Sequence, residues 1–320
     1  MSEKDFQEKK FIDFDDVFAD IINVLLFNGE RRIHEDDLEP GGMLRSGYKI
    51  DDKFAEQERD VKKYWKNEGV CLAMLGLENQ TDMDFRFIFR GIGYDGAEYR
   101  EQLRRRDEIK RENTKLRHDA RVRGEDVASL KLLDLPDFYP VVTIVLYFGD
   151  THWKPSLHLK DHLNIPEGLE PYVSDYTVNL FEIAFLTDEQ VAMFQSDFRY
   201  VAEYFVASRK RKEGLEPTFS ITLNHLKHVE DFIDLMNAIT NSNRFSELPK
   251  LIKERGDESM MTILFDEAEA RGEQRGEERG KINTLISLVK DGTITEEQAA
   301  KKAKMSVADF KKTYLSPVVQ

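Results

Sequence analysis

The sequence has 320 residues, 34% charged and 40% hydrophobic, with 47 Lys+Arg against 61 Asp+Glu and a formal charge of −14. The apolar fraction supports a packed core spread over about two domains, or one domain with an appendage. The acidic balance excludes a uniformly basic nucleic-acid wrapper but leaves room for a local basic patch or a metal-mediated contact.

Cys71 is the single cysteine, which excludes an intrachain disulfide and multi-cysteine zinc sites and fits a reducing cytosol. The N-terminal MSEKDFQEKKFIDFDD is too broken by charge to read as a signal peptide. No run approaches ~18 uncharged apolar residues. A soluble, cytoplasmic protein without a membrane span is expected.

In chain order, Phe14, Val17, Phe18, Ile21, Ile22, Val24, Leu25 and Leu26 follow helical spacing, and Asn28-Gly29 supplies the stop. Residues 31–58 read as a short strand near Ile33 followed by an exposed loop through Pro40-Gly41-Gly42. DVKKYW at 60–65 and the apolar run VCLAMLGL at 70–77 read as strands, the second covered on both faces. Thr81 or Asp82 is placed to cap the next helix. There Phe85, Ile88, Phe89 and Ile92 form an apolar face, with Arg86 and Arg90 one turn apart beside it. Residues 100–123 extend this segment with ten Lys/Arg against five Asp/Glu, a net of +5.

VVTIVLYF at 141–148 is a second continuous apolar strand. It is reached through a helical crossover, so it is expected to lie parallel to a neighbour. Residues 178–186 add one more strand, and 188–208, 219–240 and 245–268 read as helices. RGEQRGEERG at 271–280 repeats glycine every fourth position, which makes a weak helix or a hinge. Residues 281–315 form a compact helical tail. Thr295 and Gln298 have capping-box spacing there, and Ser306 precedes a last short helix.

The chemistry-bearing pattern is Asp60 followed by Glu78-Asn79-Gln80. Residues two apart on a strand share a side, so Glu78 and Gln80 project together at the end of a buried strand. A hairpin turning around Asn67-Glu68-Gly69 would bring Asp60 beside Glu78. Two carboxylates meeting at a sheet edge repel unless a positive charge lies between them. A hard divalent cation, Mg²⁺ or Mn²⁺, suits such oxygen ligands and can prepare water to attack phosphorus. Gln80 can orient water or a phosphate oxygen but supplies neither base nor charge.

LLFNGE, RDV, LAMLGLENQTD, FRFIFRGIGYD and PVVTIVLYFGD, in this order, resemble the Rpn family. These are recombination-promoting nucleases, also classed with transposases, within the PD-(D/E)xK nuclease superfamily. The segment before the helical tail is similar too, so the resemblance spans roughly 11–205 plus the tail. It implies an α/β, restriction-endonuclease-like core, a mixed sheet flanked by helices, with a helical C-terminal extension. It also implies metal-dependent DNA endonuclease activity linked to recombination or mobile DNA. Asp60 matches the first acid of the motif and Glu78 the second, both as metal ligands. Gln80 stands where the superfamily pattern has lysine, a departure common in the family and compatible with weak turnover. An acid of the first helix sometimes joins such a site, with Asp20 and Glu30 as candidates.

The domains expected are 1–205 for the nuclease-like core, 206–270 helical, 271–280 as hinge and 281–320 as tail. Competing readings stand beside these. Asp60 and Glu78 can be solvated strand-end acids, with Gln80-Thr81-Asp82 capping a helix. Arg86 and Arg90 can grip phosphate, steady Glu78 or form an ordinary polar face. Residues 100–123 can contact DNA backbone or be solvated. His158 and His162, with His152 close, lack the Glu of a metalloprotease motif and read, like His225 and His228, as surface histidines. Cys71 reads as a small core residue. The tail can touch DNA or mediate homo-oligomerisation, and a nuclease fold without turnover that binds DNA or protein is the alternative function.

Overall fold

The computed structural model describes residues 3–41, 46–50, 53–57, 60–67, 70–215, 226–247, 284–289, 291, 294–303 and 305–310. At residues 46–50, 53–57, 70, 72, 78, 244, 247, 308 and 309 the description is confined to the backbone. The chain divides into two compact units, Met1–Leu235 and Met236–Gln320.

The first unit opens with two helices, α1 (Glu3–Ile12) and α2 (Asp15–Phe27). Strands follow: β1 (Leu38–Pro40), β2 (Ser46–Ile50), β3 (Lys53–Gln57), β4 (Val61–Asn67) and β5 (Val70–Gln80). A long helix α3 (Phe87–Arg123) leads to β6 (Val141–Tyr147) and β7 (Asn179–Glu182), then to α4 (Asp188–Met193), α5 (Phe198–Lys212) and α6 (Val229–Thr240). Five strands form one open mixed sheet in the order β1-β4-β5-β6-β7, and β2-β3 is a separate antiparallel ribbon. Pairing is antiparallel from β1 to β5 and parallel from β5 to β7. The protein is therefore α/β, and the strand reached through α3 is parallel to its neighbour β5, as the crossover requires. No helix among the described residues is long and apolar enough to cross a membrane.

β4 shows how the sheet separates its two layers. Lys63 sends its ammonium to the α1–α2 turn, at 2.6 Å from the Asp13 carbonyl and 2.5 Å from Asp15 Oδ1. Tyr64 points the other way, to Glu98 of α3 at 3.0 Å. The period of two thus places α1 and α2 on one face and α3 on the other. Met74, Leu75 and Leu77 of β5 and Ile144, Val145 and Leu146 of β6 are buried on both faces, which is why these strands read as continuous apolar runs.

Several expectations need correction. Residues 3–12 are helical although their apolar positions are few; Phe11 and Ile12 bury there alongside Glu8. Residues 31–34 are not a strand, and 46–57 contain the β2–β3 ribbon rather than an unbroken loop. Neither Thr81 nor Asp82 caps α3, which begins at Phe87. Asp84 instead accepts the Arg86 N–H at 3.1 Å. The buried face of α3 runs through Phe87, Ile88, Gly91, Tyr94 and Glu98, while Phe85 and Phe89 are each 46% exposed. Phe87, Ile88 and Tyr94 turn inward together into one buried cluster with Val145 and Val178. The segment expected as one helix over 188–208 is split at Phe194–Asp197 into α4 and α5. The 271–280 hinge and most of the expected 245–268 helix lie outside the described residues. In the second unit Leu285, Ala299, Ala300 and Phe310 form a small core, and Thr295 and Gln298 make the capping box reciprocally.

Candidate functional site

The hairpin register pairs Val61 with Leu77, and one step further sets the Asp60 position beside Glu78. Glu78 pairs with Val145 of β6 and Gln80 with Tyr147, so both stand at the C-terminal end of β5, beyond its last pair with β4 and held by β6. The side chain of Glu78 lies outside the described residues.

Asp60 is gripped from two directions. Its Oδ2 accepts the Asn79 N–H at 2.8 Å, and its Oδ1 lies 2.8 Å from the Lys9 ammonium of α1. The backbone bond explains the residue's place: an acid one step beyond the last ladder pair satisfies an amide that the hairpin leaves over.

One helical position before Lys9, Glu8 is only 4% exposed. Its Oε1 has no hydrogen-bond partner and lies 3.6 Å from the Lys4 ammonium. Burial pushes the Glu8 carboxyl up to about 7; Lys4 opposes this, while the charges of Asp5 and Asp60 add to it. Glu8 is thus a buried acid on α1 whose carboxyl the Asp60 charge helps to raise, whereas Asp20 and Glu30 have partners of their own. Asp20 is spent elsewhere: it pairs with Arg31 and accepts the Gln195 and Ser196 N–H groups at 2.8 and 2.7 Å, tying α2 to the α4–α5 connection. Glu30 pairs with Arg32 at the surface. The sequence carried a signal for Glu8, an acid between Phe6 and Phe11 in a segment with little other apolar content, but without a helix assignment it pointed nowhere.

Gln80 Oε1 accepts a long bond of 3.4 Å from Arg90 Nη2. Arg90 also lies 3.7 Å from Asp84 Oδ2, and its Nε is buried without a partner. Arg86 is mostly exposed and donates through Nε to Asp84 Oδ1 at 2.7 Å, an interaction that holds the Asp84 carboxyl below its ordinary range. The two arginines therefore converge on Asp84, and Arg90 alone reaches Gln80. Both polar atoms of the Asn79 side chain are buried without partners, as is Gln7 Oε1. Natural folds leave few such groups unsatisfied; besides these on α1, the end of β5 and the start of α3, others lie elsewhere on Arg31, Trp153, Glu203 and Ser208.

Two described carboxyls from separate elements thus lie here, Asp60 held by Lys9 and the Asn79 N–H and Glu8 3.6 Å from the Lys4 ammonium. Among the described residues no group of three or more His, Cys, Asp or Glu is arranged to hold a metal. That set does not include the Glu78 side chain.

The histidines have separate partners. His158 meets Asp175 at 2.8 Å, His162 the Ser156 carbonyl at 2.9 Å, and His152 Glu182 at 3.1 Å. His228 is not a surface residue: it is half-buried, stacks on Phe14 and bonds Asp16 at 2.8 Å. His225 lies outside the described residues. Cys71 is half-buried, and burial pushes its thiol up to about 11, which leaves it unreactive. No family model, curated protein or solved structure matches this chain.

Proposed function

We propose that the protein is a divalent-metal-dependent endonuclease that hydrolyses DNA phosphodiester bonds, acting in the cytoplasm on recombining or mobile DNA as the Rpn resemblance implies. The observation that carries this reading is the β4–β5 register, which sets Asp60 beside Glu78 at the end of a buried strand.

Asp60 and Glu78 would hold Mg²⁺ or Mn²⁺, with Glu8 next in sequence to Lys9, the partner of Asp60. When bound, the cation supplies positive charge at the phosphate and makes water easier to deprotonate. Gln80 orients water or a phosphate oxygen through its amide. Arg90 steadies Gln80 and, with Arg86, offers guanidinium donors to phosphate. Lys9 places beside Asp60 the positive charge that Gln80 cannot provide. Water attacks in line, without a covalent protein intermediate. The test is plasmid cleavage by purified protein in Mg²⁺ or Mn²⁺: nicking is expected, and activity that survives Asp60→Ala and Glu78→Ala overturns the assignment.

One observation favours a second reading, a nuclease fold that binds DNA or protein without turnover. Both oxygens of Asp60 already have internal partners, Lys9 and the Asn79 N–H. This reading predicts DNA retention without cleavage in any divalent ion. Calorimetric Mn²⁺ uptake that Glu78→Ala abolishes counts against it.

A further inference from the structure

We propose that the distal half of α3 is a binding arm for the phosphate backbone of duplex DNA, with Arg111, Lys115, Arg117 and Arg121 as its contacts. The proposal rests on the DNA reading above and deepens it.

α3 has 37 residues, so at 1.5 Å per residue it is about 55 Å long. Its residues buried against the sheet and its loops end near Gln102; beyond, it is clothed on one side by the segment returning to β6. Asn113 exchanges both amide bonds with Leu133 at 2.8 Å, and Gln102 does the same with Tyr139 at 3.1 Å. Asn113, Leu116 and Ala120 form the packed row.

From Arg104 onward the cations along the exposed sides sort into two groups; Arg100, before them, is exposed. In the proximal group, Arg104 pairs with Glu101 and Glu108, Arg105 with Glu101, and Lys110 with Asp107, while Arg106 binds the Pro136 carbonyl. In the distal group, Arg111, Lys115, Arg117 and Arg121 are all exposed, and none forms an ion pair or side-chain hydrogen bond among the described residues, while Arg123 at the helix end pairs with Glu125. Helical spacing puts Arg117 and Arg121 along one flank of the packed row, Glu112 and Asp119 along the other, and Arg111, Lys115 and His118 opposite it. One side of the arm is thus cationic and unneutralised in a chain of net charge −14.

Chemistry selects the partner. Leu116 and Ala120 turn inward, and Val122 is the one exposed apolar side chain from 111 to 123, so the surface lacks the cluster of large apolar or aromatic anchors that a protein interface needs. Arg111 to Arg121 covers about 15 Å of axis. Each strand of a DNA duplex presents about one charge per 3.4 Å, so about four phosphates of one strand lie along that length, one for each cation.

The test is fluorescence anisotropy of a labelled duplex of random sequence with the full chain in EDTA, so that cleavage is silent, across a salt series. The variant R111A/K115A/R117A/R121A is expected to bind about tenfold or more weakly at low salt, with a log affinity versus log salt slope shallower by about 3. The variant R111K/R117K/R121K is expected to retain binding. Thermal unfolding of the alanine variant should match wild type, since every position is exposed. Unchanged affinity and slope overturn the arm. So does binding of these four residues to phosphatidylserine vesicles with no duplex binding. Plasmid cleavage with arm-independent binding overturns the arm and leaves the nuclease; arm-dependent binding without cleavage in any divalent ion overturns the nuclease and leaves the arm.

Discussion

Asp60 carries two duties that substitution can separate. Its bond to the Asn79 N–H belongs to the hairpin, and its pairing with Lys9 neutralises it. Asp60→Asn keeps an acceptor for the amide and removes the charge. Plasmid cleavage is expected to fall about 100-fold or more, while urea unfolding shifts by only about 1 kcal/mol. Lys9→Met removes the competing ammonium, so calorimetry should show tighter Mn²⁺ binding than in wild type; weaker binding would mean that Lys9 orders the acid rather than blocking it.

Glu8 makes a pH prediction. Its carboxyl is raised by burial from 4.5 to about 7. Between those values the folded chain keeps a proton that the unfolded chain has released. Stability in metal-free buffer therefore declines as pH rises through that window and levels off above it, a contribution on the order of 3 kcal/mol. The lowered carboxyls Asp16, Asp84 and Asp150 act oppositely: they stabilise above their ordinary range, and that stability is lost as pH falls below it. Glu8→Gln should flatten the slope between pH 4.5 and 7 and leave the acid limb intact, as read by denaturant midpoints across pH.

At the scale of elements, α3 does two unlike jobs joined end to end. Its first turns form one wall of the sheet's core through Phe87, Ile88 and Tyr94. Between them and the arm, Glu98 is nearly fully buried and accepts Tyr64 and Tyr139 at 3.0 Å each and Lys62 at 3.2 Å. Burial, reinforced by the Glu98 charge, pushes the Tyr64 hydroxyl up to about 12, so both phenols stay protonated and donate. Further out, Gln102 and Asn113 hold the returning segment at Tyr139 and Leu133. Gln102→Ala would orphan a buried N–H and a buried carbonyl at once. We expect a loss of about 2 kcal/mol and faster hydrogen exchange at the Tyr139 amide, with Asn113→Ala doing the same at Leu133. Equal exchange in wild type and variants would show that the segment is held by other contacts.

For the whole molecule, every residue of the candidate site lies in Met1–Leu235, and Met236–Gln320 has its own small core. A chain ending at residue 247 is therefore expected to cleave plasmid within about twofold of the full-length rate, a margin within which no loss of transition-state contacts is implied. Sedimentation of the two forms reads the tail's part in self-association: an unchanged number of chains per assembly removes it from that role.

The sequence alone determined the α/β class, the two buried central strands, the parallel relation of the strand after the crossover, and the alignment of Asp60 with Glu78. Each follows from a local rule: continuous apolar runs, crossover geometry, or counting outward from a turn. It also located the tail's capping box, which needs only four consecutive residues. Tertiary structure decided what local pattern leaves open. α1 forms around a buried Glu8 that has little helical signature of its own. The rotation of α3 buries Phe87 and exposes Phe89, against the apparent apolar face. Asp20 is drawn to Arg31 and the α4–α5 connection, and Arg86 and Arg90 to Asp84. In every such case the outcome turns on which distant surface a side chain meets, and an amphipathic pattern or a lone acid has no knowledge of that surface until the sheet has formed.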